Sequence, residues 1–308
     1  MIKIVYLHVH GDVLCALHQW ARTIPLDINF YGCIDSNLGC LPYNFDNEEN
    51  IKIIPTIEEL EKIIDKNTII ICYSSDIFVK LDSIIKSKDY KKVIHLHGNL
   101  PPTITSNIIS HSRKYLEHYN CKNSIFIPKM FNYEYKEFHI NQRKNFYSYI
   151  RNYVAGFKNS YLRFERLHDI IKLHGITLVN YGFYPLDGQY MWGFDVESKF
   201  YMPQSKATIH IKSSDYVSNS VCNSIYCSTP VLMLTDDYNN VWLDSIQGVY
   251  TFDTVELMAD FMIKIENDTA FFKAILDEVA TAKVANNTIT NTVIDNSIKW
   301  INNIINEE

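Results

Sequence analysis

Long apolar runs are absent. No stretch of the 308 residues approaches the roughly 18 apolar residues that a membrane-spanning helix requires. Met1 to Asp12 holds no extended apolar block of the signal-peptide kind and reads as the opening strand of a domain. The seven cysteines are odd in number and include no Cys-x-x-Cys pair. A disulfide framework or a zinc ribbon is therefore not expected, and free thiols suit a reducing cytoplasm. Glycine and proline are scarce, 10 and 9, which argues against fibrous and linker-rich architectures. A surplus of positive charge is also missing. The net charge is −6, whereas a duplex-binding protein usually carries the opposite sign, because it works by neutralising phosphates. The signatures of P-loop nucleotidases, dinucleotide-binding turns, zincins and serine hydrolases do not occur. Nor does Asp-x-Asp. Asp236-Asp237 reads as a solvent-facing loop pair, so no metal site is expected.

What is present is apolar residue content, 47%, in a chain long enough for two domains of about 150 residues. Short β-rich runs alternate with amphipathic ones. Residues 2–9 form a strand, followed by Gly11 in a loop and a helix over 14–22. Strands follow at 28–32, 68–73, 92–96 and 124–128, with helices over 57–65, 76–87 and 105–119 between them. Thr56-Ile-Glu-Glu59 is a capping box that starts the second helix. Residues 129–145 are polar and aromatic without periodicity, and the domain boundary is placed there. A second series follows: strands at 146–150, 176–181, 207–211 and 230–234, helices over 160–174, 218–227, 254–265, 269–284 and 291–305. Such alternation predicts mostly parallel sheets.

Three segments carry a family likeness. Val93-Ile-His-Leu-His97-Gly98 is a strand followed by His-Gly. Phe126-Ile127-Pro128 is followed by Asn132. Ser213 to Val231 contains Asp215, Asn223 and the run Cys227-Ser228-Thr229-Pro230-Val231. Together they resemble the GT-B glycosyltransferases, in particular the large retaining group called family 4, whose helix-and-strand motif has two glutamates eight residues apart before Cys-Gly-Thr-Pro-Val. Here aspartate stands at the first glutamate, asparagine at the second and serine at the glycine.

That resemblance implies an α/β chain of the GT-B fold, two Rossmann-like domains facing each other across a cleft. Residues 1–140 would bind the acceptor and 141–308 the nucleotide sugar, with the last helix free to pack back on the first domain. It implies retention of anomeric configuration, no metal and no cofactor beyond the nucleotide-sugar co-substrate. A leaving diphosphate needs cations or aligned amides as it gains charge. By position Arg151 and Lys158 would supply the cations. No Asp or Glu falls between Glu137 and Glu165, an interval that holds Arg143, Lys144, Arg151, Lys158 and Arg163. A solvated basic surface is the bland alternative. Ser218, Asn219 and Ser220 open a helix whose first-turn amides would cradle phosphate, with ordinary N-capping as the alternative. Asp215 would meet the sugar hydroxyls, Asn223 the ribose, Phe183 the base, Gly11 a close backbone approach and His97 the reacting oxygens. The acceptor is expected to be a saccharide. A hydroxymethylated DNA base is the rival acceptor, and a non-catalytic nucleotide-sugar-binding protein is the rival class. Peripheral membrane contact stays open.

Overall fold

A computed structural model describes residues 1–7, 9, 11–35, 50–85, 89–96, 107–121, 123–129, 137–149, 158–181, 201–212, 218–240, 247–286 and 288–306. The chain divides into two compact units, one of residues 1–132 with 288–308, the other of 133–287.

The first unit runs β1 (Ile2–Leu7), α1 (Gly11–Arg22), β2 (Ile28–Cys33), β3 (Ile51–Ile54), α2 (Ile57–Ile63), β4 (Thr68–Cys72), α3 (Ser75–Ile84), β5 (Lys91–His95), β6 (Asn107–Ser110), α4 (Arg113–His118) and β7 (Ser124–Phe126). Its strands form one parallel sheet in the order β3-β2-β1-β4-β5-β6-β7. Helices cover both faces, which is why β4, Thr-Ile-Ile-Ile-Cys, is buried along its whole length. Leu14, Leu17 and Trp20 of α1 pack on Ile4, Tyr6 and Ile71. Leu60 of α2 and Phe78 and Leu81 of α3 pack on Val5, Ile70 and Cys72 of the opposite face. Thr56 caps α2 by accepting from the Glu59 amide at 3.3 Å. Asp35 follows β2, where a dinucleotide fold keeps its ribose-binding acid. Here it is buried and accepts from the Ile57 amide at 2.9 Å, so it helps hold the start of α2.

Two local expectations change. Residues 105–119 are not one helix: Asn107–Ser110 pair as β6 between β5 and β7, and the helix is confined to Arg113–His118. The apolar pair Ile108-Ile109 fits either structure by spacing, and burial in the sheet decides it. Ile51–Ile54 adds the edge strand β3 beside β2.

The second unit runs β8 (Phe146–Ser148), α5 (Lys158–Lys172), β9 (Leu178–Asn180), β10 (Ala207–His210), α6 (Asn219–Tyr226), β11 (Val231–Leu234), α7 (Thr235–Asn240), β12 (Val249–Phe252), α8 (Val255–Asn267) and α9 (Thr269–Asn286). Its parallel sheet has the order β12-β11-β10-β8-β9. Phe164, Leu167 and Ile171 of α5 pack with Ile209, Leu232 and Met258. Gly175 lies beyond the end of α5 at φ +70°, a conformation that glycine adopts without a Cβ clash.

Helix α10 (Asn291–Asn306) belongs to the first unit. Trp20 Nε1 donates to Ser297 Oγ at 2.8 Å, and Val293, Trp300, Ile301 and Ile304 enter the core that α1 builds. Among the described residues no helix is long and apolar enough to cross a membrane. The fold is α/β with two Rossmann-like parallel sheets.

Candidate functional site

In the second sheet β9 lies to one side of β8, and β10, β11 and β12 lie to the other. The chain reverses its direction of winding between β8 and β10. Open α/β sheets bind ligands at such a switch point, beyond the carboxyl ends of the strands. His210 closes β10 and Tyr149 follows β8, and helices α5 and α6 come next in sequence after those two strands.

Helix α6 joins β10 through polar side chains. Thr208 and His210 alternate with Ala207 and Ile209, which face the large apolar core. Ser224 Oγ donates to Thr208 Oγ1 at 2.7 Å, and Ser220 Oγ is 3.2 Å from His210 Nδ1. Ser218 is the N-cap residue, yet its side chain makes no cap bond. Its hydroxyl instead lies 2.9 Å from Ser220 Oγ. Burial, with Lys212 nearby, pushes His210 down to about 3, so the ring is neutral.

The C-terminal end of α6 explains the serine in the Cys-Ser-Thr-Pro-Val run. Ser228 sits at φ +54°. Its amide donates to Ile225 O at 2.9 Å, and the Thr229 amide to Ser224 O at 2.9 Å. This is a Schellman cap, whose left-handed position glycine fills at less cost. Arg143 braces it. The buried guanidinium donates to Ser205 O at 2.9 Å, Ser228 O at 3.0 Å and Thr229 Oγ1 at 3.1 Å. Burial lowers Arg143 to about 10.

Tyr147 on β8, with Tyr149 and Tyr181 just after β8 and β9, stacks in one group with Tyr201. Tyr181 has ring centroids 5.3 Å from Tyr147, 5.5 Å from Tyr149 and 5.0 Å from Tyr201. Met202 and Cys227 complete this cluster.

Asn223 lies inside α6, 7% exposed. Ser218, Asn219 and Ser220 form the start of that helix, as expected. Gly11 is the first residue of α1 rather than part of a free loop, and Lys158 is the first residue of α5. Arg151, Asp215, His97 and Phe183 lie outside the described residues. Asp237 is a correction: it is 0% exposed, within α7, and accepts from Arg163 Nη2 at 2.8 Å. A partner far along the chain draws it inward. His210 was not singled out by the sequence. Its signal was the pairing of a polar strand face, Thr208 and His210, with a polar helix face, Ser220 and Ser224, spaced four apart.

The buried His210 has a consequence for stability. The unfolded chain takes up a proton near pH 6.5, while the folded ring resists protonation down to about 3. Its contribution is complete above about pH 6.5 and is lost as pH falls toward 3. Chemical denaturation at pH 7 and pH 4.5 is expected to show a smaller acid loss for His210→Gln than for the wild type. An equal loss in both proteins would refute the assignment.

No family model matches the sequence and no curated protein matches it. Solved structures do match. An α-glucosyltransferase in complex with UDP and a 13-mer DNA containing a central A:G mismatch superposes with TM-score 0.61 at 10% identity, over 98% of this chain and 100% of that one. AviGT4, a glycosyltransferase involved in avilamycin A biosynthesis, gives 0.56 at 13%, over 99% and 98%. A TarM variant from S. aureus, in complex with Fondaparinux, alpha-GlcNAc-glycerol and UDP, gives 0.56 at 14%. That match covers 82% of this chain and 58% of TarM, so the chain spans less than two thirds of TarM's length. These likenesses place the two sheets in the GT-B fold.

Proposed function

We propose that the protein is a glycosyltransferase that moves a sugar from a nucleotide-sugar donor to an acceptor hydroxyl. The observation that carries this reading is the start of α6, at the switch point of the second sheet, where the cap residue Ser218 turns its hydroxyl to Ser220 rather than to the helix amides. A helix N-terminus left in that state suits a phosphate. In this reading the second unit binds the donor and the first the acceptor. Arg151 and Lys158 neutralise the leaving diphosphate, Asp215 meets the sugar, Asn223 the ribose and Phe183 the base. Gly11 allows close backbone approach, and His97 steadies the reacting oxygens. Asparagine offers an acceptor and a donor where a glutamate would offer a charged acceptor pair, which weakens ribose binding and favours an unusual donor. The anomeric configuration is retained, and the setting is cytoplasmic.

UDP is the first nucleotide to try, because two of the structures named above hold it. The experiment is a thermal-shift and calorimetry screen of UDP-sugars and rarer nucleotide sugars, repeated in EDTA. Ligands that bind only the folded state raise the melting temperature. Binding and turnover are expected to survive EDTA, since side-chain cations take the metal's place. Loss of turnover that Mn²⁺ or Mg²⁺ restores would contradict the metal-free mechanism. If no nucleotide binds, the donor reading itself fails.

The DNA held by the superposing α-glucosyltransferase favours a second reading of the acceptor, a hydroxymethylated DNA base. The net charge of −6 opposes it. Salt titration separates the two. A saccharide acceptor should bind with little salt dependence, whereas duplex binding loses affinity steeply as salt rises.

A further inference from the structure

One buried group at the proposed donor site has no task in the scheme above. His210 is 2% exposed and ends β10 at the switch point. One ring nitrogen, Nδ1, meets Ser220 Oγ at 3.2 Å. The other, Nε2, is buried with no hydrogen-bond partner among the described residues. Native proteins rarely leave such an atom unpaired, because desolvating it is costly. It sits beside the first turn of α6, whose cap residue makes no cap bond. The ring is neutral, so one nitrogen carries a proton and the other accepts.

We propose that His210 contacts the ligand directly, donating its Nε2–H to an anionic oxygen of a nucleoside diphosphate seated at the first turn of α6. This rests on the nucleotide-sugar reading and adds to it a recognition atom. The bound anion sets the tautomer and, with it, the direction of the hydroxyl chain. Ser218 donates to Ser220, Ser220 donates to Nδ1, and the ring proton is left on Nε2. The reverse order would put a lone pair on Nε2, facing the anion, and an anion disfavours it. Lys212, which disfavours a charge on His210, adds positive potential that attracts the same anion.

The test is ring ¹H–¹⁵N spectroscopy of histidine-labelled protein with UDP as probe, joined to calorimetry on variants. The UDP-bound protein should show the Nε2–H tautomer of His210, with Nε2 shifted from its position in the free protein. UDP affinity should fall about 10- to 100-fold in His210→Leu. His210→Gln restores a nitrogen donor and should recover most of that loss. Circular dichroism and melting curves identify any variant that has failed to fold, and the ring spectrum of the wild type decides the matter independently. An Nδ1–H tautomer with UDP bound overturns the proposal. So does an Nε2 resonance that UDP leaves unmoved, as a buried water on that atom would give, or a folded His210→Leu that binds UDP like the wild type. Those results leave the donor reading standing. Failure of the wild type to bind any nucleoside diphosphate overturns both.

Discussion

Arg151→Ala is expected to slow glycosyl transfer by about 10²-fold, the usual loss when one donor to a developing oxyanion is removed, with the melting temperature unchanged. The choice of this residue is motivated by the neighbouring cations. Five cations lie between Glu137 and Glu165. Arg143 is buried and spent on Ser205 O, Ser228 O and Thr229 Oγ1. Arg163 is paired with Asp237. Lys144 precedes β8, at the amino end of the sheet, and its amide bonds Gln204 O at 2.7 Å. That leaves Arg151 and Lys158, which in sequence follow β8, in the connection where α/β folds carry ligand-binding residues. Steady-state kinetics on the purified variant checks the claim. Near-normal kcat and KM in a folded Arg151→Ala protein would remove the residue from the mechanism.

Removing residues 288–308 is expected to unfold the first unit and leave the second folded. Val293, Trp300, Ile301 and Ile304 sit in the core with Trp20, Ile4 and Ile69. At roughly 1.5–3 kcal/mol for each buried side chain, the helix contributes roughly 6–12 kcal/mol of burial. A whole domain is stable by only about 5–15 kcal/mol. Truncation also strips Ser297 from the Trp20 indole N–H, leaving a donor in an apolar wall. Hydrogen exchange reads the result. Amides of β1 and β4 should lose protection while those of β10 and β11 keep it. Persisting protection in β4 would show that the sheet stands without its last helix.

Much of the architecture was legible in the residues. Ile69 to Cys72 and Val231 to Leu234 are short apolar runs bounded by polar turns, and such runs have few alternatives to a buried strand. The Schellman end of α6 was encoded locally, in Cys227 to Pro230. β6 was not legible, because two isoleucines between asparagine and serine carry no period of their own. The buried roles of Arg143 and Asp237 were hidden for a different reason. Arg143 meets residues 62, 85 and 86 positions away, and Asp237 meets one 74 away. Local pattern holds no trace of such partners. At the candidate site, the motif disclosed the helix and its serines. It did not disclose the histidine on the strand beneath, whose meaning depends on which side chains the helix lays over it.

Because α10 completes the first unit, the order of synthesis and the order of completion are inverted. A ribosome makes the first sheet early, yet that sheet lacks one wall until residues 291–306 emerge. The second unit is a continuous stretch, 133–287, and its chain is complete sooner. Domains that fold during synthesis ordinarily do so from the amino end. This one holds an incomplete first half in waiting, with Trp20 and its apolar neighbours uncovered for the time taken to make the rest. Apolar surface left uncovered in that interval is the kind that makes incomplete chains prone to aggregate and chaperones useful.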